Sequence, residues 1–120
     1  MNHCFTKANR LTKKREFKDI FEKGRVFRNN DIVAYILLNN KQNSRLGVIV
    51  KKKIGNAVKR NKIKRFFREG FRTNKCHLNY CVDIIIIPGS NTKEITLLLA
   101  EEFFRQLCEY INKLNLRQHS

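Results

Sequence analysis

Proline, tryptophan and acidic residues are the scarce components of this chain. Its 120 residues hold one Pro, no Trp and five Gly, which excludes collagen-like and low-complexity architectures. Long apolar runs are missing too. Ile84 to Ile87 is the most uniform aliphatic block, far short of the roughly 20 apolar residues that cross a bilayer. Met1 to Arg10 is polar and lacks the apolar stretch of a secretory signal. A cytoplasmic protein with no membrane partner is expected. Cys4, Cys76, Cys81 and Cys108 keep no framework spacing, and His77 lies between Cys76 and Cys81 at a distance unlike a tight zinc knuckle. They are expected to be reduced thiols, and no metal site is assigned.

What is present is positive charge. Lys and Arg number 26 against 10 Asp and Glu, a formal net charge of +16. Self-repulsion of that size destabilises a compact monomer and is relieved by a polyanion, so nucleic acid is the expected partner. The hydrophobic fraction of 42%, with nine Phe and three Tyr, is enough for one modest core. The chain is expected to be a single RNA-binding domain over 1–120, with flexible ends at about 1–10 and 116–120.

Along the chain, Thr12 is positioned to cap a short helix that ends before Gly24, expected as a left-handed terminator. Phe17, Ile20 and Phe21 form its apolar stripe, with Lys13, Lys14, Arg15 and Lys18 on the other sides. Arg25 to Arg28 suits a brief strand or lead-in. Asp31 to Leu38 predicts a firm strand with Val33, Tyr35 and Leu37 on one face and Ile32, Ala34, Ile36 and Leu38 on the other. Arg45 to Val50 follows a polar turn, so the two are expected to pair as an antiparallel hairpin. Apolar side chains on both faces imply that both sides of the sheet are covered. Gly55 and Asn56 turn the chain into a long helix with Asn56 as its cap. Cys81 to Ile87 predicts a buried strand ended by Pro88-Gly89. Asn91 and Glu94 make a capping box for a last helix. There Leu99, Phe103, Leu107, Tyr110 and Leu114 line one side, and Glu101, Arg105, Glu109 and Asn112 face water. The fold class is α/β (α+β): one two-layer domain of order α-β-β-(β)-α-β-α with a mixed sheet.

The middle helix carries the functional signal. At 100° per residue Ile63, Phe66, Phe67, Gly70 and Phe71 cluster on one side, and Asn61, Arg65, Arg68 and Arg72 lie almost opposite, with Lys64 beside them. Lys59 and Arg60 fall at the apolar boundary. From Lys51 to Arg72 there are ten Lys or Arg and one acid, Glu69. A helix needing only solubility would mix signs. Unneutralised arginines instead suit phosphates, which the guanidinium fork contacts in pairs.

The run from Lys51 to Phe71, KKKIGNAVKRNKIKRFFREGF, resembles the signature of the bacterial ribonuclease P protein component. The match covers Lys52, Lys53, Gly55, Asn56, Ala57, Val58, Arg60, Asn61, Lys64, Arg65 and Arg68. NRLTKKREFKDIFEKG near the start, the VAYILL strand and the C-terminal amphipathic helix extend it over nearly the whole chain. Two positions depart from the pattern. Lys62 stands where the family has a third Arg-Asn-Arg residue, keeping charge without the planar fork. Ile87 directly precedes Pro88 where the family commonly carries an Arg, so no RNA contact is carried over there.

The resemblance implies an unusual left-handed βαβ crossover, against the general right-handed rule. It implies two partners, a catalytic RNA subunit and precursor tRNA, whose 5′ leader the ribonucleoprotein removes by endonucleolytic cleavage. It also implies Mg2+, or a similar divalent ion, held mainly by the RNA. Contacts to the catalytic RNA would then come from Lys52, Lys53, Asn56, Arg60, Asn61, Lys62, Lys64, Arg65, Arg68 and Arg72. The leader would lie in a cleft between the first helix and the sheet. Phe17, Phe21, Val33 and Tyr35 offer that cleft sequence-tolerant stacking surface; Phe17 and Phe21 serve equally well as core. No catalytic residue is assigned in the protein. His3, His77 and His119 are scattered, and Asp19, Asp31 and Asp83 do not cluster. A protein-only nuclease and a structural, ribosomal-type RNA binder remain the alternatives.

Overall fold

The computed structural model describes residues 7–90 and 94–114. Three α-helices, α1 (Lys14–Lys23), α2 (Ala57–Asn74) and α3 (Leu97–Lys113), accompany four strands, β1 (Arg25–Asn29), β2 (Ile32–Leu38), β3 (Arg45–Val48) and β4 (Val82–Pro88). The mixed sheet has the order β1-β2-β4-β3. The expected class and order hold, with all three early strands present.

β1 and β2 form the hairpin. Asn30 and Asp31 join them at φ 53° and 61°, the left-handed pair that a two-residue turn matching strand twist requires and that Asn and Asp tolerate. The expected hairpin between β2 and β3 does not form. β4 lies between them, antiparallel to β2 and parallel to β3. The reason is burial: Val82, Ile84 and Ile86 belong to one core and Ile85 to another. A strand apolar on both faces belongs in the middle of a sheet. The β3–α2–β4 connection therefore joins parallel neighbours, as expected.

Both sheet faces are covered. On one, Ile32, Ala34, Ile36, Leu46, Ile84 and Ile86 meet Ile63, Phe67 and Phe71 of α2 and Phe103, Phe104, Leu107 and Ile111 of α3. α2 and α3 run in the same direction: Gly70 lies against Ala100 and Phe104, and the Cys108 Sγ sits 3.6 Å from the Asn74 carbonyl oxygen. Burial pushes the Cys108 thiol up to about 12. On the other face Ile20 of α1 and Leu11 just before it cluster with Ile85, and Phe17, Tyr35, Leu37, Ile49 and Ile87 stay partly buried.

Several local expectations are corrected. α1 is preceded by Lys13 with no side-chain cap, so Thr12 does not cap it. Gly24 is extended (φ −77°), not left-handed; a Cβ there would come 2.5 Å from the Ile20 carbonyl oxygen, so close approach requires the glycine. α3 is capped by Thr96, whose hydroxyl accepts from the Leu99 N–H at 3.1 Å. Asn91 lies outside the described residues, and Glu94 precedes the helix. The buried side of α3 is Ala100, Phe103, Phe104, Leu107, Cys108 and Ile111, a stripe rotated from the expected one. Leu99 and Tyr110 are only partly buried. Asn112 does not simply face water: it accepts from the Asn79 N–H and donates to the His77 carbonyl. Lys7–Asn9 form a 3-10 turn with Asn9 buried. No helix among the described residues is long and apolar enough to cross a membrane.

Candidate nucleic-acid interface

The Asn56 carboxamide oxygen accepts from the Lys59 N–H at 2.9 Å and starts α2 where expected. Ile63, Phe67, Gly70 and Phe71 are its buried side; Phe66 is half-buried. Asn61, Lys62 and Arg65 are exposed, and Lys64 and Arg68 are half-buried. The helix is thus anchored by aromatics and presents a cationic stripe. The Lys62 ammonium lies 5.7 Å from the Phe66 ring centre, a cation–π contact that tethers the residue standing where the family has Arg.

The remaining predicted contacts behave differently. Lys52 and Lys53 are exposed in a 3-10 turn, Lys52–Ile54, just before Asn56, so they extend the stripe. Arg60 is half-buried, and its Nε donates to the Gly55 carbonyl at 3.1 Å, bracing the turn. Arg72 is tied to Glu69, which holds the Glu69 carboxyl below its usual range. Arg72 is therefore less available to phosphate than its place in the stripe suggests. Burial, and secondly the charge of Arg10, disfavour the charged form of Arg68. Sequence reasoning did not single out Arg10, whose place beside α2 depends on chain packing.

The second predicted site is a cleft of about 550 Å3 beside α1, lined by Thr12, Lys14, Phe17, Lys18, Phe21, Glu22 and Ile49. Lys14 and Lys18, like Phe17 and Phe21, are four apart, so one helical side supplies both charge and rings. That spacing was the available signal for the two lysines. Phe21 is 40% exposed, so it is not core. Phe17 is half-buried against Gly47, where a Cβ would come 2.7 Å from its ring. Tyr35 packs edge-on to Phe21 at 4.9 Å between ring centres. Its hydroxyl makes no hydrogen bond among the described residues. Val33 is half-buried on the same sheet face, two residues along β2 from Tyr35, and neither of the two is in the cleft lining itself.

An ion network fastens α1 above the sheet. Arg45 Nε and Nη2 donate to the two oxygens of Asp83 at 2.8 and 2.6 Å, and Nη1 donates to Glu16 of α1 at 2.7 Å. Asn39 donates to Asp83 at 2.7 Å. The Asp83 hydrogen bond, above all, raises the Arg45 pKa against the opposing effect of burial. Arg45 at the start of β3 thus holds the helix, and Ile49, just past the end of that strand, lines the cleft. Among the described residues, no three His, Cys, Asp or Glu side chains gather as a metal site.

A basic α+β domain with one cationic helix face and a separate aromatic cleft is a nucleic-acid-binding module. The family model Ribonuclease P matches residues 5–112, and the chain belongs to the ribonuclease P protein family. It is 47% identical over 112 residues to the ribonuclease P protein component of Petrotoga mobilis, covering 92% of this chain and 94% of that one. Identity to the Thermotoga maritima component is 40% over 105 residues, covering 88% and 84%. The solved RNase P protein of Staphylococcus aureus superposes with a TM-score of 0.75 at 39% identity, covering 89% of this chain and 97% of that one. For the solved Thermotoga maritima protein the TM-score is 0.71 at 33% identity, with coverage of 88% and 97%.

Proposed function

We propose that this chain is the protein subunit of a ribonuclease P ribonucleoprotein and assists a catalytic RNA in removing the 5′ leader of precursor tRNA. The observation that carries the reading is the two-sided α2. Ile63, Phe67 and Phe71 fix the helix on the sheet, while Asn61, Lys62 and Arg65 stand exposed along one line with Lys52 and Lys53 at its start. That is a rigid strip of donors matched to RNA phosphates, and it docks the catalytic RNA. The α1 cleft takes the single-stranded leader: Phe17, Phe21 and Tyr35 offer ring surface, and Lys14 and Lys18 follow the phosphates.

Bond cleavage belongs to the RNA subunit. Glu16 and Asp83 are committed to Arg45 and Glu69 to Arg72, which leaves these three poor ligands for a metal pair, and Glu22 in the cleft lies 4.0 Å from the Lys18 ammonium. Divalent ions such as Mg2+, held mainly by RNA, would supply activated water and stabilise the leaving oxygen. The protein's own task is to position the substrate and neutralise repulsion between two RNAs. A cytoplasmic site of action suits the free thiols of Cys76, Cys81 and Cys108.

The test is reconstitution with a candidate catalytic RNA at low Mg2+, scoring the 5′ cleavage position. The chain should restore accurate cleavage that RNA alone performs poorly. Cleavage by the chain without RNA would reverse the division of labour, and co-purification with ribosomal RNA without stimulation would favour a structural RNA binder. Tyr35→Ala should weaken binding of precursor tRNA more than mature tRNA; equal losses would remove the leader from the cleft.

A further inference from the structure

The sheet face under α1 continues past the helix. On β1, Phe27 packs against Phe103 and Tyr110 of α3, with ring centres 5.6 and 5.0 Å apart, so its neighbours Val26 and Arg28 turn to the α1 face. Val26 stands opposite Tyr35 and is 40% exposed; Arg28 stands opposite Val33 and is exposed. Val33 in turn lies opposite Ile87 of β4. The Ile49 N–H donates to the Ile86 carbonyl at 2.9 Å, which keeps Ile49 beside Ile87. Ile49, Ile87, Val33 and Arg28 therefore cross the sheet in one row, the first three half-buried. Tyr35, two residues from Val33 on the same face, borders the row, with Phe21 packed against it.

The two ends of the row meet different things. Ile49 lines the α1 cleft with Phe17 and Phe21, and three residues later Lys52 and Lys53 begin the proposed docking face. Arg28 lies on β1, an edge strand, three strand spacings or about 14 Å away. No hydrogen bond or ion pair engages its side chain among the described residues, whereas Arg45, Arg72 and Arg105 are all held by carboxylates. An apolar floor that ends in an uncommitted guanidinium suits a ligand with unstacked bases and a charged backbone.

We infer that the 5′ leader of precursor tRNA crosses the sheet along this row, and that Arg28 binds a leader phosphate at its far end. The inference rests on the leader cleft proposed above and adds a direction and an end point to it. The scissile bond lies with the catalytic RNA, which docks at the Ile49 end, so the nucleotide that reaches Arg28 is remote from the cut. Arg28 then sets how many leader nucleotides contribute to affinity and takes no part in bond cleavage.

The experiment uses the reconstituted holoenzyme and precursor tRNAs whose leaders are lengthened one nucleotide at a time. Apparent Kd is read from single-turnover cleavage against enzyme concentration. Wild-type affinity should rise stepwise with leader length. Arg28→Ala should match wild type on the shortest leaders and lose the last step, about three- to fivefold, on long ones. On those leaders its slope of log affinity against log salt should be shallower by about 0.7. Arg25→Ala is the charge control. Arg25 is exposed on the same strand but on the Phe27 side, so its loss should leave the length dependence unchanged. Both positions are exposed, and circular dichroism should show folding intact in both variants. An equal loss for Arg28→Ala at every length would overturn the end point, as would no loss at any length or the same length-dependent loss in Arg25→Ala. A wild type whose affinity ignores the leader would refute the cleft itself. Unchanged length dependence in Arg28→Ala, with Tyr35→Ala still losing leader-dependent affinity, refutes only this inference.

Discussion

The two faces of the sheet are finished differently. Beneath α2 and α3 four phenylalanines, Phe67, Phe71, Phe103 and Phe104, are each at most 2% exposed and meet edge to face. Beneath α1 only Leu11, Ile20 and Ile85 are buried, and Phe17, Tyr35 and Ile49 stay half-open. A sealed face gives a rigid mount for like charges that repel one another. An unsealed face keeps ring surface available to a ligand. The comparison breaks most directly on a pair of aromatics. Phe67→Ala should destabilise the fold by about 3–5 kcal/mol in urea unfolding. Phe21→Ala should remove only an exposed ring pair, about 1 kcal/mol, yet weaken precursor tRNA binding by about 1–3 kcal/mol. Equal stability losses would mean that the α1 face is core after all.

A second contrast sets Arg45 against Arg65. Both are arginines of a cationic protein, but Arg45 is bound by two carboxylates and Arg65 stands exposed. Arg45→Ala leaves Asp83 with only the Asn39 donor in a site 5% exposed. A loss of about 3 kcal/mol is expected, at the low end for a broken buried pair because the network is partly open to water. Arg65→Ala should change stability by less than about 0.5 kcal/mol. It should lower affinity for the catalytic RNA, with the salt slope reduced by about one unit. Thermal unfolding and salt-titrated binding on the same two variants separate the roles, and a matched pattern in both assays would erase the distinction.

How much of this was legible depended on how local each determinant is. The anchoring and charged sides of α2 follow from helical period alone, and Ile63, Phe67 and Phe71 lie where that period puts them. Asn56 caps because a carboxamide before a helical run needs only its own backbone. Strand order was not local. Asp31 to Leu38 and Arg45 to Val50 read as adjacent partners, and only the two-sided apolarity of Val82 to Ile87 argued that β4 must intervene. The α3 stripe was rotated because Ala100 and Cys108, small and weakly hydrophobic, are buried by the close approach of α2. The α1 cleft was half legible. Phe17 and Phe21 share a helical side, but their exposure depends on Gly47 and on the Arg45 network, contacts between distant parts of the chain.

The smallest expected effect sharpens the comparison within α2 itself. Asn56 is both a cap and a predicted RNA contact: its oxygen is occupied by the Lys59 N–H, while its amide nitrogen can still donate to phosphate. Thr96 caps α3 by the same kind of bond to the Leu99 N–H and is not among the predicted RNA contacts. Asn56→Ala and Thr96→Ala should each cost about 1 kcal/mol of stability, and only the first should weaken RNA binding. Asn56→Asp then divides the two tasks. Aspartate caps as well as asparagine, so stability should stay within about 0.5 kcal/mol of wild type. It has no donor and places a negative charge against phosphate, so affinity for the catalytic RNA should fall by about tenfold. Wild-type affinity for Asn56→Asp would reduce Asn56 to a cap and move the start of the RNA contact to Lys52, Lys53 and Asn61.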